Sequence, residues 1–257
     1  MTDFELDPAL NRVPEPCRNI HIMGICGTGM AALAGMLKEQ GFRVTGSDEN
    51  VYPPMSDFLA ELEIPVMSGY GPQNLEPVPD LVVVGNVIRA VNPEAVALAE
   101  LHIPYVSMPQ ALGHFFLTRH LPLVVTGTHG KTTTSSLLAT ALYRAGDSPG
   151  FMIGGIVEAF GKNYRIGTGD YFVVEGDEYD TAFFNKVSKF LHYRPHHAIL
   201  TSIEFDHADI FPDFDSQSAV QLSLFNLLQR IRQPIRILPV LHGKRTNKPH
   251  RLLVIQS

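Results

Sequence analysis

The stretch "LPLVVTGTHGKTTTSSLLATAL", from Leu121 to Leu142, constrains the fold more than any other. It opens as an apolar run and passes through a knot of Gly, Thr, His and Lys. Leu137, Leu138, Ala141, Leu142 and Ala145 then recur at helical spacing, with Gly146 as a natural stop. A strand, a glycine turn and a helix in that order present successive backbone N–H groups at a helix N-terminus, where nest and dipole both favour an anion. In a polyphosphate reading, Gly127, Thr128, His129 and Gly130 form the cup. Lys131 reaches the terminal phosphates, the Thr132 hydroxyl holds Mg²⁺, and Thr133 belongs to the same first turn. The pattern G-x-x-x-x-G-K-[ST] is not met, because Val125 stands where its first glycine would be; a shorter G-x-x-G-K-T loop remains. The competing reading is a Thr-rich turn that caps a helix and binds nothing.

A related unit lies upstream. "NIHIMGI" (19–25) reads as a buried strand, Met30, Leu33, Ala34 and Leu37 mark one face of a helix, and "FRVTGSD" (42–48) reads as the next strand. The turn "GICGTGM" carries Gly24, Gly27 and Gly29 as G-x-x-G-x-G, not the G-x-G-x-x-G of dinucleotide folds. Gly24, Gly27, Thr28, Gly29 and Met30 are candidates to meet a nucleotide, with Asp48 at the end of the second strand, where an acid commonly meets a ribose. The altered spacing disfavours NAD and leaves room for a UDP-type ligand, or for a tight turn with no ligand. Helices at "MSDFLAELE" and "PEAVALAEL" and strands at "DLVVVGN" and "IPYVS" continue the alternation to about Leu117. The fold class is therefore α/β: a Rossmann-like N-terminal domain over 1–117, then a second α/β unit of P-loop ATPase type over 121–215.

Two further strands, "YFVVEGDE" (171–178) and "HHAILTSIEFDH" (196–207), also run into polar residues. Ligand-binding groups collect at the carboxyl ends of parallel strands. Glu175, Asp177, Glu178 and Asp180 place four carboxylates within six residues. Such a cluster repels itself unless a cation is near, and Mg²⁺ suits oxygen ligands beside ATP; a solvated acidic loop is the alternative. His207 follows Asp206 at a strand end and shares the expected edge with Lys131 and Glu175. His192, His196 and His197 have no such setting.

Composition narrows the classes. No run approaches the ~18 apolar residues of a membrane span, and the acidic start "MTDFELDPAL" does not resemble a secretory signal. Cys17 and Cys26 form no disulfide framework, so a cytoplasmic setting is expected. Net charge is −6, yet residues 216–257 hold seven Lys and Arg and no acid, while the other 13 sit with all 26 Asp and Glu. That tail is rich in Leu and Ile, unlike a solvated basic arm, so neither a nucleic-acid nor a membrane partner is expected.

Taken in order, "HIMGICGTGMAALA", "VTGSD", "TGTHGKTTT", "VEGDEYDTAFF" and "IEFDHADIF" resemble the Mur ligase family, ATP-dependent amide-forming ligases of peptidoglycan metabolism. "DEYDTAFFNKVSKFLHYRP" points to the branch that acts in peptidoglycan recycling, joining UDP-N-acetylmuramate to the murein tripeptide L-alanyl-γ-D-glutamyl-meso-diaminopimelate; the L-alanine-adding branch resembles "ADESD" there. The resemblance implies ATP and Mg²⁺ as cofactors and an acyl-phosphate intermediate. It places UDP on the Gly24–Gly29 loop, ATP on 127–133, and the metal on Thr132, Glu175 and His207, with Lys131, Glu175 and His207 as catalytic residues. Gly176 replaces the alanine usual in the family, which predicts looser packing beside Glu175. The resemblance is expected to end at Asp215, which implies that the central ATP-binding domain over 121–215 is incomplete. The acid-free tail then suggests a break in the reading frame, and the chain is expected to bind substrates without useful turnover. A genuine helix at "AVQLSLFNLLQRI" is the alternative for the tail, and a non-catalytic UDP-sugar- or nucleotide-binding fragment and a UDP-N-acetylmuramate–L-alanine ligase are the alternatives for the function.

Overall fold

Strand β1 (Asn19–Met23) leads through the first glycine turn into α1 (Thr28–Glu39), and β2 (Arg43–Asp48) returns beside β1. The computed structural model describes residues 6–177, 180–202 and 253–256. The chain continues through α2 (Met55–Glu61), β3 (Val66–Ser68), β4 (Leu81–Val84), α3 (Pro93–Glu100), β5 (Tyr105–Ser107) and α4 (Met108–Phe115). The five strands are all parallel, in the order β3-β2-β1-β4-β5. Strand order therefore reverses at β1, and the glycine turn leaves the carboxyl end of that strand, where α/β sheets open a ligand crevice.

The elements follow from local sequence. "LVVV" in β4 is buried at every position, as expected of a parallel strand covered on both faces. α1 is buried from Met30 to Leu37 without interruption, more than the single face its periodicity predicts, because Ala and Gly between the larger residues let neighbours approach on every side. α3 starts where Asn92 accepts hydrogen bonds from the Glu94 and Ala95 amides and Pro93 occupies the first turn.

The second sheet is built from β6 (Leu121–Thr126), β7 (Gly150–Val157), β8 (Lys162–Arg165), β9 (Tyr171–Gly176), β12 (His197–Leu200) and β13 (Leu253–Gln256), and helix α5 (Lys131–Arg144) connects β6 to β7. Between β9 and β12 lies a separate two-stranded hairpin, β10 (Asp180–Ala182) and β11 (Asn185–Ser188). The order is β13-β12-β6-β9-β7-β8, with β12, β6, β9 and β7 mutually parallel and β8 and β13 antiparallel at the edges. Periodicity did not pick out β7, β8 or the hairpin. The strand expected over 171–178 ends at Gly176. That expected over 196–207 is β12, which ends at Leu200; Ile203 to His207 lie outside the described residues.

Two compact units emerge: Met1–Phe115 with Asp180–Val187, and Phe116–Tyr179 with Ser188–Ser257. In the first, Leu6, Met23, Leu75, Val82, Val84, Leu98 and Tyr105 form a core against which Phe183 and Phe184 of the hairpin pack. Phe184 meets the Tyr105 ring edge-on, with centroids 4.8 Å apart. In the second, Leu123, Ala139, Phe151, Ile153 and Val173 join α5 to its sheet. Among the described residues no helix is long and apolar enough to cross a membrane.

Candidate active site

In the second unit, β6 ends at Thr126 and the chain turns through Gly127, at φ +126°, and Gly130, at φ +80°. Both values favour glycine, and Gly130 caps α5 without a side-chain bond. Lys131 therefore opens the helix, and its Nζ donates to the Gly127 carbonyl at 2.7 Å. His129, Gly130, Thr132 and Thr133 are exposed, whereas Gly127 and Thr128 are buried.

Adjacent strand ends complete the edge. Parallel pairing sets Val125 beside Glu175 and Leu200 beside Thr126. The Glu175 carboxylate accepts the Gly154 amide of β7 at 2.9 Å. A Cβ on the next residue, Gly155, would lie 3.1 Å from Thr132 Cγ2. Lys131, Thr132 and Glu175 thus converge on one sheet edge, with the side-chain-free Gly154–Gly155 segment between Thr132 and Glu175. Beyond β12, Thr201 and Ser202 brace the loop. The Thr128 amide donates to the Ser202 carbonyl and the His129 amide to Ser202 Oγ, each at 3.0 Å. Thr201 Oγ1 donates to the Thr126 carbonyl at 3.1 Å and also to that of His129. Two of the cup's amides are therefore held by β12's end, leaving Gly130 and the first turn of α5 as its more exposed part. His207 and Glu178, both expected here, lie outside the described residues.

Lysines partner two of the four carboxylates of the acidic stretch: Lys189 binds Asp177 at 2.9 Å and Lys186 binds Asp180 at 2.9 Å. Behind them Tyr193 is buried; burial first, then the charges of Asp177 and Glu175, push its phenol upward and keep it neutral. Among the described residues no three His, Cys, Asp or Glu side chains converge as a metal cage. Gly176 departs from expectation. A Cβ there would sit 2.7 Å from Val124 Cγ1 and 3.2 Å from Phe190 Cβ, so the backbone approach is close, not loosened.

In the first unit, Gly24, at φ +80°, turns the chain out of β1, and Gly27 and Thr28 at the start of α1 are exposed. Gly29 is partly exposed, while the Met30 side chain is buried beside Gly27 and Gly85. Asp48 is tied to the same loop: Oδ2 accepts the Cys26 amide at 2.9 Å and Oδ1 the Asn50 amide at 3.0 Å. Beneath it lies a polar group that the sequence reading missed, centred on Glu94, a carboxylate with 0% exposure. Its only signal was an acid one residue after a helix-starting Asn-Pro.

Comparison with known proteins covers both sheets. Residues 19–120 match the Mur ligase family, catalytic domain, and residues 125–239 match the Mur ligase middle domain. The second match passes Asp215, so the acid-free composition from Ser216 does not mark the end of the resemblance. The chain is 47% identical over 214 residues to the UDP-N-acetylmuramate–L-alanyl-γ-D-glutamyl-meso-2,6-diaminoheptandioate ligase of Haemophilus influenzae, covering 83% of this chain and 47% of that protein. It is 48% identical over 219 residues to the ligase of the same name from Escherichia coli, covering 85% and 47%. The chain spans about half the length of these curated relatives. The crystal structure of UDP-N-acetylmuramate:L-alanyl-γ-D-glutamyl-meso-diaminopimelate ligase from Neisseria meningitides superposes with a TM-score of 0.77 at 46% identity, covering 83% of this chain and 68% of that one. With both of its sheets assigned and two thirds of a solved relative matched, the chain belongs to the Mur ligase family.

Proposed function

We propose that the chain supplies the UDP-sugar and ATP units of an ATP-dependent ligase that joins UDP-N-acetylmuramate to L-alanyl-γ-D-glutamyl-meso-diaminopimelate. Residues 1–117 hold the UDP-sugar and residues 121–215 hold ATP. The observation that carries this reading is the convergence of Lys131, Thr132 and Glu175 on one sheet edge beside a glycine cup. Relatives 46–48% identical, named for this reaction, support the choice of sugar and peptide.

The chemistry brings two anions together. A muramate carboxylate oxygen attacks the γ-phosphorus, the bond to the β–γ bridging oxygen breaks, and ADP leaves. The peptide amine then adds to the acyl carbon, loses a proton, and inorganic phosphate departs. Lys131 places an ammonium where charge gathers on the transferred group, and the amides at Gly130 and the start of α5 orient the triphosphate. Thr132 offers a hydroxyl and Glu175 a carboxylate across the Gly154–Gly155 segment, an all-oxygen pair suited to Mg²⁺; His207 joins them in this proposal. Bound Mg²⁺ would supply charge neutralisation between the two anions. Lys131 must exchange its bond to the Gly127 carbonyl for one to phosphate, so its loss weakens ATP and spares the first unit. Titrating ATP and UDP-N-acetylmuramate separately into the chain and into Lys131→Ala tests this. ATP affinity should fall at least tenfold with UDP-sugar affinity unchanged; unaltered ATP binding by folded Lys131→Ala refutes the site.

A further inference from the structure

Glu94 is fully buried, yet its carboxylate receives four hydrogen bonds. Oε1 accepts from Ser47 Oγ at 2.6 Å and His21 Nε2 at 2.8 Å; Oε2 accepts from Asn74 Nδ2 at 2.6 Å and the Gly71 amide at 3.1 Å. With the Nε2–H tautomer of His21, the Thr45 hydroxyl 2.9 Å away can donate to Nδ1, so one buried negative charge is satisfied without a second ion. Burial pushes the Glu94 carboxyl upward, but the donors from His21, Ser47 and Asn74 outweigh it and hold it below its usual value.

The donors come from β1, β2 and the segment after β3; Ser47 leads straight to the glycine loop, and Asn74 reaches it through Gly69 and Asp48. Ser47 gives its hydroxyl to Glu94 and its carbonyl to the Gly24 and Ile25 amides, at 2.8 and 3.1 Å. Asp48, the next residue, takes the Cys26 amide on its side chain and the Gly69 amide on its carbonyl, at 2.9 and 2.8 Å. Asn74 closes the circuit by donating to the Gly69 carbonyl at 3.0 Å. The first three amides of the turn therefore end on Ser47 and Asp48, and Glu94 fixes the side chain of the first. An uncharged apolar residue would fill the same space without the desolvation a buried carboxylate incurs. What a carboxylate adds is two oxygens that fix several separate donors in direction.

We propose that Glu94 is a positioning residue for the nucleoside-diphosphate-sugar site: through Ser47 and Asn74 it sets the Gly24–Gly29 turn and Asp48 in the geometry that receives the ligand. This rests on the UDP-sugar reading of the first unit. Glu94→Gln replaces one acceptor oxygen by a donor and faces it against at least one of the four donors. Ser47→Ala, a milder change, removes a single link.

The test uses the 257-residue chain, UDP as probe, ATP as a control for the second unit, and amide exchange at Cys26 and Gly69 against Ile22 and Val83. Both variants should raise the UDP Kd, Glu94→Gln by tenfold or more, with the ATP Kd within twofold. Exchange at Cys26 and Gly69 should quicken at least tenfold more than at Ile22 and Val83. UDP binding within twofold of the parent in both folded variants overturns the positioning role. Equal quickening at all four amides also overturns it, since the network then serves only stability. A parent chain that binds no UDP overturns the UDP-sugar reading itself, and the exchange contrast still decides whether Glu94 holds the loop.

Discussion

Gly127 is the position at which a single methyl group tests the phosphate loop's architecture. Its φ of +126° is a conformation that L residues avoid, costing about 1–3 kcal/mol. A Cβ there would also meet Thr201 Oγ1 and lie 2.8 Å from both the amide and the carbonyl oxygen of Ser202. Two of those three atoms are backbone, so relief requires β12's end to move, and overpacking of this kind costs about 1–3 kcal/mol more. Gly127→Ala should therefore destabilise the second unit by about 2–6 kcal/mol. Gly146→Ala is the control: φ is +94° there but no atom lies within 4 Å, so only backbone strain of about 1–2 kcal/mol applies. Native-state amide exchange at Val124 and Val125 in β6 reads the opening free energy, with Ile22 and Val83 reporting the other unit. A loss of 2 kcal/mol quickens exchange about thirtyfold, and each further 1.4 kcal/mol about tenfold. If Gly127→Ala proves no more disruptive than Gly146→Ala, Thr201 and Ser202 do not press on the loop, and the bracing described above is wrong.

Other outcomes follow from the charges and thiols. Lys189→Met should destabilise by about 1–3 kcal/mol, because Lys189 is only 12% exposed and its loss leaves Asp177 short of its cation. Lys186→Met should stay within about 0.5 kcal/mol, since that pair is 68% and 50% exposed; urea midpoints compare the two. Burial, then Asp80 for Cys17 and Asp48 for Cys26, raises both thiols from 9.0 to about 11. At pH 8 this lowers the thiolate about 100-fold, and higher intrinsic nucleophilicity recovers several-fold, so alkylation should run about tenfold slower than in urea. Glu94 lies below its usual 4.5 when folded, so its contribution is complete above that value and is lost as pH falls through the lower folded one. Urea midpoints between pH 6 and 3 should drop below pH 4.5 in the parent, and less steeply in Glu94→Gln.

The parallel-sheet architecture and the two glycine turns were legible because each rests on residues close in sequence. A run such as Leu121–Thr126 ending in Gly-x-x-Gly-Lys carries its own strand, turn and helix start. The acidic stretch after Glu175 was not, because charge repulsion counts carboxylates without knowing where the chain takes them. Asp180 leaves with a hairpin whose Phe183 and Phe184 pack in the first unit, and Asp177 stays to meet a lysine twelve residues on. Glu175, with no lysine bond of this kind described, lies beside Thr132 through Gly154 and Gly155, residues on a strand that periodicity did not detect. Glu94 escaped for the opposite reason. Acids are rarely buried, so composition steers a reader away from it. Only the meeting of His21, Ser47, Gly71 and Asn74, drawn from three separate segments, makes its burial tolerable. The same logic explains Gly176: its identity is set by how closely β6 and Phe190 approach, a distance that no local pattern encodes. Short-range chemistry thus announces where a polyphosphate can sit, while the residues that hold such a loop in place come from strands and segments far along the chain.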